Sequence, residues 1–182
     1  MESEIITKEK YHTNLQDEKL HWYVMTTKPK FEKKVNQGLN KVNIISYLPL
    51  QKRLRVWHDR KKWVETPLFP SYIFVKISER ERNDVFGVPG IVRYISQCGK
   101  ASILKEEEME RIERLCSYLG EVEIERRKIQ VGEEVQIISG HFSGMKGFVV
   151  SSKGKCRCCI SIPGIDSYAS IEIDQEEIQK VI

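Results

Sequence analysis

The chain has 182 residues, long for one average domain and sufficient for two small ones, and 31% of them are charged. No apolar run approaches the roughly 20 residues of a membrane span, and the opening MESEIITKEKYHTNLQDEK carries acids from its second position, unlike a secretory or transit signal. The net charge of +4 is unevenly placed: residues 1–118 hold 22 Lys and Arg against 16 Asp and Glu, whereas residues 131–182 hold 5 against 7. This asymmetry suggests two modules with different partners.

In chain order, residues 1–19 read as a disordered lead. HWYVMTT, from His21, opens as a strand, after which Phe31, Val35, Leu39 and Val42 recur at helical spacing. Lys30, Lys33, Lys34 and Lys41 lie mostly off that stripe, as a solvated face or as a compact positive edge. SYLPLQKRLRVWHDRKKWVETPLFP then reads as a hairpin with its tip near Asp59 and Arg60. Its arms carry Lys52, Arg53, Arg55, Arg60, Lys61 and Lys62 beside Trp57 and Trp63. Such a ribbon either tracks a phosphate backbone with rings free to stack, or is solvated with its tryptophans covering its base.

PLFPSYIFV follows, with Tyr72 and Phe74 alternating against Ile73, Val75 and Ile77, the pattern of a strand with two usable faces. SERERNDVFGVPG reads as a short helix capped by Ser78 and ended by Gly87, and GIVRYIS as another strand. LKEEEMERIERLCSYLG is the clearest helix: Glu106, Glu107 and Glu108 suit the positive end of its dipole. Met109, Ile112, Cys116 and Leu119 form its stripe, and Gly120 stops it. This order predicts an α+β layer over residues 20–119, with helices on a mostly antiparallel sheet.

EVEIERRKIQ places a charged linker at residues 120–130. Beyond it, over residues 131–182, five short strands separated by glycine-bearing turns read as a small all-β barrel. The five cysteines are odd in number and lack secreted-scaffold spacing, which favours a reduced cytoplasm. CRCC, Cys156 to Cys159, lacks the second ligand pair of a zinc site; on a strand, Cys158 shares a face with Ile160 and Ile162 and reads as a small hydrophobe.

VGEEVQIISGHFSGMKGFVV resembles a KOW motif through Gly132, Val135, Ile137, Gly140, Phe142, Gly144, Gly147 and Val149. WYV at Trp22, PLFPSYIFV and VPGIVRYIS precede it in the order of the NusG family of transcription elongation factors. Together these motifs resemble that family over nearly the whole chain from Trp22. RVWHDRKKWVETPLFPSYIFV, with Ser71 where housekeeping members more often show glycine, is more similar to specialised paralogues of the RfaH and UpxY type, antiterminators of polysaccharide operons.

The resemblance implies an NGN-like first domain, an SH3-like KOW barrel, a monomer in the cytoplasm, and no membrane association. It implies an apolar patch that docks on the clamp helices of bacterial RNA polymerase, carried over as Phe69, Pro70, Tyr72 and Phe74, with Tyr94 alongside. Such factors bridge the cleft over DNA and suppress pausing. Lys30, Lys33, Lys34, Arg53, Arg55, Arg60, Lys61 and Lys62 are the candidate contacts to non-template DNA, and Glu79–Asn83 falls where relatives touch the opposite jaw. The barrel would recruit a ribosomal small-subunit protein or the Rho helicase, with Phe142 either an exposed anchor or a ring folded onto its own barrel. Some relatives refold this domain into helices, but the β-favouring CRCCISI and ASIEI predict a persistent barrel.

A different class of reading is an RNA-binding translation module that uses the basic hairpin and the KOW barrel. An enzymatic reading has little to stand on: His12, His21, His58 and His141 sit in separate contexts, and neither a phosphate loop nor a nucleophile elbow occurs. No catalytic residue, metal or cofactor is expected.

Overall fold

The computed structural model describes residues 19–56, 61–97, 99–118, 120, 122–125, 132–152, 155–162, 164–165 and 167–181. Residues 1–18 of the expected N-terminal lead, the hairpin tip with Trp57 and Arg60, Leu119 of the expected helix stripe, and residues 121 and 126–130 of the expected linker lie outside this set. No helix among the described residues is long and apolar enough to cross a membrane.

The first unit contains β1 (His21–Thr27), α1 (Glu32–Lys41), β2 (Ile45–Tyr47), β3 (Leu50–Val56), β4 (Lys61–Pro67) and β5 (Tyr72–Ile77). A 3₁₀ helix (Arg80–Gly87) follows, then β6 (Ile91–Tyr94), the short β7 (Ser96–Gln97), β8 (Lys100–Ala101) and β9 (Ile103–Leu104), and α2 (Glu106–Ser117). The main sheet is antiparallel in the order β2-β5-β1-β6, and β9 pairs with the start of β1. β3 and β4 form the separate hairpin, in register from Leu50↔Pro67 to Val56↔Lys61.

Residue parity sorts this sheet into two apolar faces. Tyr23 and Met25 of β1 stand beside Val75 and Ile73 of β5, whereas Val24 stands beside Phe74. The first face closes on Val35 and Leu39 of α1 and on Val85 and Val88 around the 3₁₀ helix. The second takes Trp22, Val24, Phe69 and Phe74 into a core with Met109, Ile112 and Leu115 of α2, and this core continues into the C-terminal strands. α1 ends earlier than its apolar pattern suggested: Val42 is its C-cap and is 55% exposed. The 3₁₀ helix lacks the expected Ser78 side-chain cap; instead the Ser78 amide donates to Glu81 Oε2 at 2.8 Å. α2 starts as its sequence implies, with the Lys105 amide donating to Glu108 Oε2 at 2.8 Å, and its buried stripe is Met109, Ile112 and Leu115, with Cys116 half-buried.

The C-terminal strands are β10 (Val122–Glu125), β11 (Glu133–Ile137), β12 (Lys146–Ser152), β13 (Lys155–Ser161), β14 (Tyr168–Glu172) and β15 (Ile178–Lys180). They form one antiparallel sheet in the order β10-β14-β13-β12-β11-β15, the barrel of the SH3-like class. β10 falls within the expected charged linker, where Val122 and Ile124 offer it an apolar side to lay on β14. Cys158 and Cys159 are fully buried, and burial pushes the Cys158 thiol up to about 12.

The barrel rests on the first unit. Its turn residue Gly164 has φ +70°, and a Cβ built there would stand 2.9 Å from both Val24 and Leu104 side chains. Two independent demands therefore exclude a side chain: left-handed backbone and lack of space. At the other end of the contact, Tyr118 packs its ring 4.8 Å from Phe142, and Arg114 Nη2 donates to the carbonyls of His141 and Ser143, the latter at 3.1 Å.

A cluster at the rim of the first face ties the 3₁₀ helix to the sheet. Tyr23 Oη donates to Glu79 Oε1 at 2.5 Å, Arg82 pairs with Glu79 at 3.0 Å, and the Arg82 guanidinium lies over the Tyr23 and Tyr94 rings at 5.6 and 5.3 Å. Burial is the main reason that the Tyr23 and Tyr94 phenols both rise to about 12. Their neutral forms are favoured in the fold, so the associated stability is complete below the unfolded value near 10 and is lost as pH climbs from there toward 12.

Urea midpoints measured between pH 8 and pH 11.5 are therefore expected to fall above about pH 10, with a shallower fall in Tyr23→Phe; parallel profiles would contradict this assignment. Replacing Gly164 by Val is expected to weaken barrel docking by about 1–3 kcal/mol through backbone strain and overlap. Methyl resonances of Val24 and Leu104 that stay at their wild-type positions would contradict it.

Candidate functional site

The Phe69–Phe74 segment is held by three anchors before any partner arrives. The Leu68 amide donates to the Pro49 carbonyl at 2.8 Å, and the Tyr72 amide to that of Phe69 at 3.2 Å. Ser71 adopts φ +69°, its amide donating to Glu32 Oε1 at 2.8 Å while its carbonyl accepts from Thr27 at 2.9 Å. Glu32, on the first turn of α1, is only 5% exposed. A left-handed residue at this turn accounts physically for glycine being an alternative there.

Within that turn the candidate aromatic residues divide. Pro70 is exposed and Tyr72 half-buried, whereas Phe69 and Phe74 are 1% and 0% exposed, packed edge to face at 6.3 Å. The two phenylalanines were expected on an open ridge. They instead lie in the core shared with α2 and the barrel, so no such ridge is open in this arrangement. Tyr94 does not join them. It stands opposite Met25 in the β1–β6 register and so belongs to the other face, where its hydroxyl donates to the Arg82 carbonyl at 2.7 Å. Pleat parity, which adjacency in the motif hides, separates it from Phe74.

Phe142 is buried as well: it is 4% exposed and packs on Tyr118 at the end of α2. His141 next to it places Nε2 2.8 Å from the Arg114 carbonyl, in the last turn of α2. Arg114, Tyr118 and His141 thus fasten the barrel to the first unit, a role that no local pattern in the sequence marks. The Phe69–Phe74 rings and Phe142 are thus buried in one continuous core.

The basic residues are more open. Lys30, Lys34, Lys61 and Lys62 are exposed, with Lys34 over the Phe31 ring at 5.6 Å. Lys33 donates to the Glu65 carbonyl at 2.8 Å, bridging α1 to the hairpin. Arg53 points at the chain leaving α2: its Nη2 donates to the Val122 carbonyl at 2.8 Å and its Nε to Gln51 Oε1 at 3.1 Å. The Arg55 side chain and Arg60 lie outside the described residues. Between the hairpin and the end of α2 runs an open groove of about 1150 Å³, lined by Lys33, Lys52, Lys62, Trp63, Glu65 and Tyr118 among others. Trp63 is 65% exposed, and Leu54 and Val56 continue its apolar side of the hairpin. An exposed indole beside several ammonium groups can stack on a base while phosphates meet the lysines.

Comparison with known proteins matches this architecture. Residues 20–113 fit the family model described as NusG, transcription termination factor. The chain is 27% identical over 170 residues to the transcription termination/antitermination protein NusG of Streptococcus pyogenes, which covers 85% of this chain and 93% of the relative. It is 24% identical over 174 residues to the NusG of Staphylococcus aureus, covering 86% and 94%. Among solved structures, Thermotoga maritima NusG, described for its domain interaction, superposes with a TM-score of 0.57 at 24% identity, over 90% of this chain and 98% of that one. That likeness speaks for the fold. With a family model that spans more than half of its length, the chain belongs to the NusG family.

Proposed function

We propose that this chain is a bacterial transcription elongation and antitermination factor that acts by binding rather than by catalysis. Its Phe69–Phe74 segment meets the clamp helices of RNA polymerase, the hairpin and α1 edge meet non-template DNA, and the Phe142 loop recruits a ribosomal small-subunit protein or Rho. The finer reading, suppression of pausing or termination on particular operons such as those for polysaccharide synthesis, follows from the likeness to specialised paralogues.

The single observation that carries the reading is that Phe69, Phe74 and Phe142 all lie buried in one apolar core that α2 and the barrel share. Residues 68–71 form a turn that is pinned to α1 and β1 and leads into β5, so the segment is preformed and little ordering cost attends its use. Its rings would be available to an α-helical partner once the barrel moves away, in the helix-in-groove manner. Polymerase binding and barrel docking therefore compete for the same apolar surface.

The test is transcription in vitro across a pause and a terminator, with purified bacterial RNA polymerase. Tyr72→Ala, at a half-buried position, is expected to weaken polymerase binding about tenfold or more, and Gly164→Val to strengthen it by unmasking the same face. Equal binding by all three proteins would overturn the reading, and tight RNA binding without any polymerase complex would favour the translation module instead. In the same system, DNA affinity is expected to fall with salt at a log-log slope near 0.9 per phosphate contacted, and to flatten when Lys33, Lys34, Lys61 and Lys62 become Gln. An unchanged slope would leave these lysines as solvated surface.

A further inference from the structure

We propose that Arg53 is a latch shared between two acceptors: it holds the strand that leads into the barrel, and a nucleic-acid phosphate arriving at the hairpin draws it away and loosens barrel docking. The inference rests on the reading above that the hairpin meets nucleic acid. It assigns to one residue the coupling between that contact and the release of the barrel.

Three hydrogen bonds define the latch. Arg53 donates to the Val122 carbonyl at 2.8 Å and to Gln51 Oε1 at 3.1 Å, and the Gln51 amide donates to the Gly120 carbonyl at 3.3 Å. Gln51 is 5% exposed, so its amide is fixed between the hairpin and the chain at residue 120. β10, which starts at Val122, is the end strand of the barrel sheet: it ladders onto β14, and Glu123 pairs with Arg157 of β13 at 2.9 Å. What grips Val122 from the hairpin thus grips the barrel. Residues 118–121 alone separate α2 from β10, a tether that spans at most roughly 14 Å when extended. β10 and the barrel therefore move as one body relative to the hairpin.

The latch is built to be taken. Arg53 is exposed, both of its acceptors are neutral, and it makes no ion pair among the described residues. A phosphate offers the same forked guanidinium two anionic oxygens, a stronger and better-matched pair of acceptors than a carbonyl and an amide. Cross-strand register puts Arg53 opposite Val64 and Arg55 opposite Lys62, so exposed Lys62 stands on the Arg53 face of the hairpin, where it adds a second phosphate contact. A ligand that binds Arg53 only when it has left Val122 must shift the equilibrium toward the undocked barrel, and by linkage an undocked barrel must raise affinity for that ligand.

The experiment is hydrogen–deuterium exchange on the full chain, with and without a fifteen-nucleotide single-stranded DNA, its duplex serving as a second arm; anisotropy of the labelled DNA reports binding independently. Bound DNA is expected to raise exchange at residues 143–145 and in α2 about fivefold or more, while amides of Val35 to Leu39 in the other core stay unchanged. Arg53→Ala is expected to exchange fast at the same segments before DNA is added and to gain nothing from it, although Lys61 and Lys62 still hold DNA weakly. Arg53→Lys, which keeps the charge and loses the fork, is expected to be loosened without DNA and to retain more binding than Arg53→Ala. DNA that binds the wild type without changing exchange at the docking contact refutes the latch and leaves the nucleic-acid reading standing. Absence of binding to the wild type refutes both. An Arg53→Ala protein as protected as wild type also refutes the latch.

Discussion

The main sheet of this protein is apolar on both faces, and that constraint organises the rest. β1 places Tyr23 and Met25 on one side and Trp22 and Val24 on the other, and β5 does the same with Ile73 and Val75 against Phe74. An antiparallel sheet with one wet face needs one cover; this one needs two. α1 and the 3₁₀ helix supply the first from within the unit. For the second, α2 contributes Met109, Ile112 and Leu115, and the barrel completes the cover with its Gly164 turn against Val24 and Leu104.

A cover supplied by a tethered neighbour differs from one supplied by the same unit. Burying a ring such as Phe69 or Phe74 is worth about 1.5–3 kcal/mol, and the same gain is open to any partner that presents an apolar helix to that face. The short tether gives the barrel a high effective concentration, on the order of millimolar for such linkages, so an outside partner must outbid it by affinity or arrive while other contacts are loosened. The contacts that hold the barrel are of mixed strength. Gly164 admits no side chain without strain, whereas the bonds of Arg114 and Arg53 to backbone carbonyls are partly solvated and open to competition. Masking is thus firm at the apolar centre and labile at the polar rim.

Much of this was legible in the residues. The two-sided alternation of Tyr72 to Ile77, the acid-led α2 and the five short C-terminal strands follow from local periodicity and turn chemistry, and all appear where those signals place them. Other features depend on tertiary choices that no local signal encodes. Val42 keeps helical spacing but falls at the C-cap, where the chain turns away and leaves it in solvent. Tyr94 follows a family motif yet sits on the opposite face from Phe74, because a one-residue difference in strand parity decides the side. EVEIE reads as linker by its charge, although Val122 and Ile124 alternate in strand fashion and find an edge at β14. Phe69 and Phe74 read as rings of an open surface from their motif, whereas the packing of the whole chain buries both in the core shared with α2 and the barrel. Arg53, grouped by charge with the lysines around it, owes its separate role to a carbonyl 69 residues away in sequence.

The most direct test is an NOE measurement on the full chain with labelled Val and Leu methyl groups. Close packing of the Gly164 turn predicts cross-peaks from the Gly164 α-protons to the methyls of Val24 and Leu104, with Phe69 and Phe74 rings in contact with the same methyl network. A spectrum in which those cross-peaks are missing and the barrel tumbles independently of the first unit would contradict the account.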